Sequence, residues 1–257
     1  MGVTQVTGAR GRHYVVDGEK YPSVTTILGV IAKRALIDWA AKQEREAVVR
    51  AAVALHREGV NGAMPVEAFE GLLLDRLGKQ RAHERQLEKA ADIGSQAHRL
   101  VENSIRSRLR LPVESDVTDP HQAAVQAHQA FLGWAREVDL EPIATEQVVY
   151  SRTHQYAGTM DLLARVGGRV LLIDFKTSKP KRGGGIYPEH ALQSAAYRTA
   201  VTEMGKLPTP EAGMIVRLPK TANDTVEPME IGGDDLGQQF DAFLAALSLH
   251  RWLKQNE

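Results

Sequence analysis

A two-residue glycine turn inside a β-rich stretch constrains the fold of this chain more than any other feature. Residues 143–177 are rich in β-branched and aliphatic side chains, and Gly167-Gly168 interrupts them in the manner of a tight hairpin. If these glycines form the turn, the register of the two strands places Asp161 directly opposite Asp174. The Cβ atoms of such a pair lie about 5 Å apart.

Two facing carboxylates destabilise a hairpin unless something compensates for their like charges. The two strands are otherwise apolar, so either one carboxyl keeps a proton at a raised pKa or both bind a cation. Side-chain alternation also puts Lys176 on the same face as Asp174. Oxygen ligands favour Mg²⁺ or Mn²⁺, and a metal beside a lysine suits attack of water on a phosphodiester. An ordinary ion-paired strand end is the structural alternative.

The rest of the chain predicts an α+β fold that is mostly helical before residue 142 and contains a sheet after it. A first hairpin turns at Asp17-Gly18, and Ser23 is suited to cap the helix that follows. Apolar periodicity and Gly or Pro boundaries predict helices at 36–55, 65–77, 80–109, 121–138, 188–205 and 235–254. Besides the first hairpin, strands are expected at 145–150, 158–166, 169–176, 213–218 and 225–231. We expect one domain, 1–257, with a mainly helical part at 23–140 and a sheet-containing core at 143–257.

Composition excludes several classes of protein. The chain has no cysteine, which excludes disulfides, thiolate zinc sites, a cysteine nucleophile and cysteine-bound iron–sulfur clusters. No apolar stretch is long enough to cross a bilayer, and residues 1–12 lack the apolar region of a signal peptide, so we expect no membrane association and a cytoplasmic location.

Charge is distributed unevenly, although 32 basic residues balance 32 acidic ones. Segment 76–110 carries nine basic and four acidic residues, whereas segment 223–241 carries six acidic residues and neither lysine nor arginine. These segments are either solvated helix faces or, in the case of 76–110, a path for a polyanion.

Four short motifs resemble the PD-(D/E)XK nuclease superfamily and its RecB-like exonuclease branch. The core motif is Gly158-x-x-Asp161, a hairpin, and then Ile173-Asp174-Phe175-Lys176. Gly94-x-x-x-His98 and Gln193-x-x-x-Tyr197 resemble motifs of the RecB-like branch on the helices before and after the core. Segment 22–28 is similar to a segment of mitochondrial genome maintenance exonucleases and their phage relatives. Met160 in place of proline and Asp174 in place of the commoner glutamate are departures that keep the ligand chemistry.

The resemblance implies a restriction-endonuclease-like α+β core in a single nuclease domain, and it assigns roles to individual residues. Asp161, Asp174 and Lys176 are expected to be catalytic. The implied ligands of one or two Mg²⁺ or Mn²⁺ ions are His98, Asp161, Asp174 and the carbonyl of Phe175. Gln193 and Tyr197 are expected to bind substrate or orient Lys176. No iron–sulfur cluster is expected, unlike in relatives that have the cysteines for one.

For some further candidate residues, a non-functional interpretation has comparable weight. Glu102 is either a partner of His98 or a further ligand, or else a solvated helix residue. Glu146 either reaches the metal site from a neighbouring strand or faces solvent. Lys179, Lys181 and Arg182 either contact phosphate or belong to a plain solvent loop.

The expected activity is a metal-dependent DNA exonuclease acting on single strands or DNA ends in a bacterial or phage-infected cytoplasm. Its expected partners are DNA and, beyond it, replication or recombination proteins. A structure-specific or nicking endonuclease on the same core is one alternative, and a non-catalytic DNA-binding module is another.

Overall fold

The computed structural model describes most of the chain, in eight stretches. These are residues 2–8, 11–31, 34–60, 64–113, 117–178, 186–221, 224–232 and 235–256. Their helices are α1 (Val24–Leu28), α2 (Arg34–Arg57), α3 (Val66–Leu77), α4 (Ala82–Arg108), α5 (Gln122–Glu137), α6 (Pro188–Met204) and α7 (Leu236–Gln255). Their strands are β1 (Val3–Gly8), β2 (Gly11–Val16), β3 (Glu19–Pro22), β4 (Glu141–Ser151), β5 (Tyr156–Val166), β6 (Arg169–Thr177), β7 (Ala212–Leu218) and β8 (Glu227–Ile231).

A mixed five-stranded sheet in the order β4-β5-β6-β7-β8 forms the centre of the second half. Neighbouring strands run antiparallel except for β6 and β7, which are parallel. A parallel pair needs a crossover, and α6 provides it between these two strands. Strands flanked by helices in this way confirm the predicted α+β fold.

The central hairpin has the predicted turn and register. Gly167 and Gly168 have φ values of 58° and 82°, which glycine adopts without the steric cost of a Cβ. Val166 pairs with Arg169 across the turn, and the ladder continues in the same register as far as the residues next to the two aspartates. Both strands are largely buried. The carboxylates therefore stand in an apolar sheet rather than on an exposed edge.

The N-terminal residues form a small three-stranded sheet, β1-β2-β3. Its second hairpin turns at Asp17-Gly18 as predicted, and Ser23 caps α1 by accepting a hydrogen bond from the backbone N–H of Thr26 at 3.0 Å. Strand β1 was not predicted, although its alternating valines and threonines are a weak β-signal. The hydroxyl of Tyr14 bonds that of Thr159 at 2.9 Å, which ties this small sheet to β5.

The main apolar core fills the space between the five-stranded sheet and helices α1, α6 and α7. Its buried members include Ile27, Tyr156, Met160 and Phe243. Because α6 packs on this face, its inner residues meet the middle of β5 and β6, where the aspartates lie.

The chain divides into two compact units. One unit comprises Met1–Ile31 and Gly94–Glu257, and so contains both sheets, and the other comprises Ala32–Ile93. Helix α4 contributes to both units, since its residues from Gly94 onward belong with the sheets. The expectation of a single nuclease domain stays a prediction. Across the described stretches, no helix combines the length and apolar character that crossing a membrane requires.

Candidate active site

The register of β5 and β6 brings Asp161 and Asp174 together at one point of the sheet. The backbone N–H of Phe175 donates a hydrogen bond to Oδ2 of Asp161 at 2.9 Å, so the first carboxylate reaches the strand that carries the second. Asp174 is only 9% exposed. The hairpin thus holds two acidic groups side by side in a largely apolar setting.

Asp174 is held by two side chains from different elements. Nε2 of Gln193 donates to its Oδ1 at 3.1 Å, and Nζ of Lys176 forms an ion pair with its Oδ2. Lys176 lies two residues along the same strand, as the alternation of side chains predicts. The ion pair between Lys176 and Asp174 is the one that the structural alternative, an ordinary ion-paired strand end, also predicts. The carboxylate of Asp161 stands beside this pair as a second acidic group.

His98 approaches the pair from α4. Its Nδ1 lies 3.6 Å from Oδ2 of Asp161, and its ring meets the edge of Phe175 with centroids 6.4 Å apart. Gly94 explains how the helix comes so close, because a Cβ at this position would lie 3.0 Å from the hydroxyl oxygen of Thr177. The Gly-x-x-x-His spacing therefore has a physical basis here: the glycine permits contact with β6, and the histidine one turn later faces Asp161.

Tyr197 and Gln193 lie one turn apart on α6. The ring of Tyr197 passes over Gly158 of β5, where a Cβ would lie 2.4 Å from its Cε1 atom. Gly158 is thus required by close packing rather than by a turn. The phenol and the amide together line one side of the carboxylate pair.

The electrostatics of the site depend on burial. Burial raises the pKa of Asp161, and the charge of Asp174 raises it further, against the opposing effect of His98 and Lys176. Burial disfavours the charged form of Lys176, but the two aspartates outweigh it and raise the pKa of the amine above 10.5. Lys176 is therefore a cation at neutral pH. Burial and then the two carboxylates also raise the pKa of Tyr197, so its hydroxyl stays protonated.

The donor atoms of the site suit a hard divalent cation. Asp161 and Asp174 supply carboxylate oxygens, and His98 supplies a ring nitrogen. Oδ2 of Asp174 is buried, and its close neighbour is the Lys176 ammonium. Within the same part of the chain, no three His, Asp or Glu side chains stand in an arrangement that holds a metal ion. The residue types fit Mg²⁺ or Mn²⁺, while the carboxylate of Asp174 is turned onto Lys176 and Gln193.

The remaining candidates from the sequence are Glu102, Glu146 and three basic residues after β6. Glu102 forms an ion pair with Arg106 at 3.1 Å, and both side chains are partly buried. Glu146 has a φ of 47°, unusual for a non-glycine residue within a strand. Its neighbour Thr145 donates a hydrogen bond to the carbonyl of Asp161 at 2.9 Å. Lys179, Lys181 and Arg182 lie outside the described residues.

Sequence reasoning missed Arg217, which lies beside Lys176 in the parallel pair of β6 and β7. Its guanidinium is buried, donates to the carbonyl of Ser178 at 3.0 Å, and pairs with both Asp224 and Glu227 at 2.8 Å. Two acids of the segment 223–241 are thus paired with a buried arginine. A lone arginine within the apolar run of β7 was the available signal.

Comparison with known proteins places most of the chain in one family. Residues 70–256 match the sequence profile of the PD-(D/E)XK nuclease superfamily. This range contains both aspartates, Lys176, His98 and the α6 pair. No curated protein matches the chain.

Solved structures with a similar chain trace include an alkaline exonuclease (LHK-Exo) from Laribacter hongkongensis. It is 17% identical, with 62% of this chain and 91% of that chain covered and a TM-score of 0.34. LHK-Exo in complex with dAMP is 18% identical, with coverages of 62% and 91% and a TM-score of 0.32. The protein SSO0001 is 17% identical, with coverages of 60% and 72% and a TM-score of 0.27.

Proposed function

Because this chain belongs to the PD-(D/E)XK nuclease superfamily, we propose that its aspartate pair and Lys176 hydrolyse phosphodiester bonds of DNA with a divalent metal ion. The observation that carries the proposal is the meeting of Asp161, Asp174 and Lys176 at one point of the five-stranded sheet. A structural ion pair needs only one carboxylate for one amine. The second carboxylate costs stability through repulsion, and a metal ion would remove that cost.

The proposed ligands of Mg²⁺ or Mn²⁺ are Asp161, Asp174 and the carbonyl of Phe175, with His98 as the nitrogen ligand. Such an ion, when bound, lowers the pKa of water and polarises the phosphate. Nitrogen ligation favours Mn²⁺ over Mg²⁺ in relative terms, since imidazole suits later divalent metals better than Mg²⁺.

The chain's own groups position the reactants. Lys176 is charged at neutral pH and stabilises the negative charge that develops on the phosphate, or orients the attacking water. Gln193 holds the Asp174 carboxylate in place through its amide. Tyr197, whose hydroxyl keeps its proton, offers a donor to a backbone oxygen of the substrate.

We propose exonuclease action on single strands or DNA ends, rather than internal cleavage. His98, Gln193 and Tyr197 are the residues by which the chain resembles the RecB-like exonucleases, and each of them contacts the aspartate pair or a residue that does. DNA is accordingly the proposed partner, and contacts to its backbone suffice because no sequence needs to be read.

Digestion of end-labelled single-stranded and duplex DNA with Mn²⁺ or Mg²⁺ tests the proposal. We expect Asp174→Ala and Lys176→Ala each to lose activity by a factor of at least about 100, since each removes charge stabilisation from the transition state. Matched controls are Asp241→Ala and Lys206→Ala, which remove the same groups from exposed positions. Activity that survives both site substitutions would refute the assignment.

A closed circular single strand separates the two modes of cleavage. An enzyme that needs an end leaves it intact, whereas a nicking or structure-specific endonuclease cuts it. Binding without cleavage of any of these DNAs would favour the non-catalytic alternative.

A further inference from the structure

A basic cavity of about 580 Å³ lies away from the aspartates, in the compact unit that contains both sheets. Its basic lining residues are Arg12, Lys20, Arg251 and Lys254, joined by His13 and His250. Thr26 and Gln155 add uncharged hydrogen-bonding groups. None of the described lining residues is acidic. Four permanent cations thus converge on one concave surface, which favours an anionic occupant.

Among the residues that the structure describes, these cations have no acidic partner. Arg12, Lys20 and Lys254 form no ion pair with any residue that the structure describes. Arg251 donates to the carbonyl of His154 at 2.7 Å, a neutral partner. Arginines elsewhere in the same unit do find acids: Arg169, for example, reaches Glu230 at 2.8 Å. Within the described stretches, the absence of acidic partners therefore distinguishes this cavity.

A hydrogen bond and an ion pair join the backbone segments around the cavity. The hydroxyl of Thr26 donates to the carbonyl of Arg12 at 3.2 Å, which joins α1 to β2. Arg152 pairs with Asp17 at 2.5 Å, which joins the turn before β5 to the β2–β3 turn. Lys254 also lies where a cation offsets the helix dipole of α7, whereas Arg12 and Lys20 lie on strands and have no such role.

Strand β5 links the cavity to the aspartates. Gln155 lines the cavity and directly precedes β5, and Asp161 follows six residues later, about 20 Å along an extended strand. A span of about 20 Å corresponds to roughly six phosphates of one DNA strand at duplex spacing. One DNA strand is therefore long enough to reach both places at once.

We propose that this cavity is an accessory phosphate-binding site that holds the DNA backbone several nucleotides away from the scissile bond. The inference rests on the proposed function and adds a second anchoring point to it. Lysine and arginine contacts of this kind position a strand without reading its sequence. Short substrates that cannot span the distance gain nothing from it.

Binding of fluorescent single-stranded oligonucleotides, measured by anisotropy with EDTA present, tests the proposal without depending on cleavage. The test variant is Arg12→Ala with Lys20→Ala. The control is Arg136→Ala with Arg165→Ala, which removes two exposed cations of the same unit that do not line the cavity. For a strand of about twenty nucleotides, the logarithm of the binding constant falls as the logarithm of the salt concentration rises, and each lost phosphate contact makes this slope shallower by about 0.7. The test variant loses two contacts, so its slope should be shallower than that of the wild type by about 1.4.

Near 0.1 M salt, this loss corresponds to affinity that is weaker by a factor of roughly 25. A trinucleotide cannot reach both places at once, so it should lose less affinity in the test variant than the long strand does. Equal slopes for the two variants on the long strand would overturn the proposal. Inorganic phosphate that binds the wild type but not the test variant, together with equal slopes of the test and control variants on the long strand, would assign the cavity to free phosphate instead of DNA.

The proposed function can fail separately. If the wild type binds the long strand through Arg12 and Lys20 but cleaves no DNA with Mn²⁺, the accessory-site proposal is supported and the nuclease proposal is refuted. If the wild type cleaves DNA and the test variant matches the control in binding, the nuclease proposal is supported and the accessory-site proposal is refuted.

Discussion

At the scale of single residues, Gly158 shows how an apparently simple motif position is set by packing. The ring of Tyr197 occupies the space where any other residue would place its Cβ. Tyr197 is itself 5% exposed and lies in the main core, so its ring cannot move out of the way cheaply. The glycine thus keeps the phenol and its partner Gln193 beside the carboxylates.

Gly158→Ala should destabilise the protein by about 1–3 kcal/mol and lower nuclease activity, because the added methyl group displaces the Tyr197 ring. Urea denaturation and digestion of labelled DNA measure the two effects. Gly133→Ala is the control: it lies in α5 with open space around its Cβ and should stabilise the helix by about 0.5–1 kcal/mol. Unchanged stability in Gly158→Ala would contradict the packing argument.

At the scale of elements, the parallel pairing of β6 with β7 places a buried cation, Arg217, next to Lys176. Arg217 binds the Ser178 carbonyl just beyond β6 and two acids near β8, so one side chain joins three segments. Its side chain is 4% exposed. Hydrogen bonds to Glu227 and Asp224 raise the pKa of Arg217, so it is permanently charged.

Arg217→Met should cost about 3 kcal/mol of unfolding free energy, because it strips a partly buried Asp224 and a backbone carbonyl of their donor. Arg169→Met is the matched control, since Arg169 also forms a two-bond pair with Glu230 in the same sheet but is 46% exposed. Its loss should cost under about 1 kcal/mol. Thermal and urea unfolding of both variants give the comparison, and equal costs would show that the Arg217 network does not depend on burial.

At the scale of the whole molecule, the fold holds two like charges together at the expense of stability. A carboxyl whose folded-state pKa is raised binds its proton more tightly when folded, so its contribution to stability is complete below its ordinary pKa of 3.8. That contribution is lost as the pH rises through the raised pKa of Asp161. Metal-free protein at neutral pH therefore carries an electrostatic cost at this site.

Asp161→Asn should consequently be more stable than the wild type in EDTA at pH 7, with the difference vanishing below about pH 3.8. Saturation with Mn²⁺ reverses the order. An ion at 100 times its Kd stabilises the wild type by about 2.7 kcal/mol and leaves the variant nearly unchanged. Urea titrations across pH, with and without Mn²⁺, measure both effects, with Asp241→Asn as the control for removal of an exposed carboxylate. A variant less stable than the wild type in EDTA at pH 7 would contradict this account.

The sequence alone determined the order of the helices and strands from β2 onward and the register of the central hairpin. These features depend on local chemistry: the Gly167-Gly168 pair defines a turn, alternation defines the two faces of a strand, and apolar spacing defines a helix. Once the turn is set, the positions of Asp161 and Asp174 follow by counting.

Only the tertiary structure decided what surrounds the aspartates. Gln193 and His98 come from elements far apart in the chain, and their contacts with the aspartates depend on how α6 and α4 pack on the sheet. The same packing turned Asp174 onto Lys176 and left the basic cavity without acids. Long-range convergence of this kind cannot be obtained from local spacing, because each contact is fixed by the packing of the whole core rather than by its own residues.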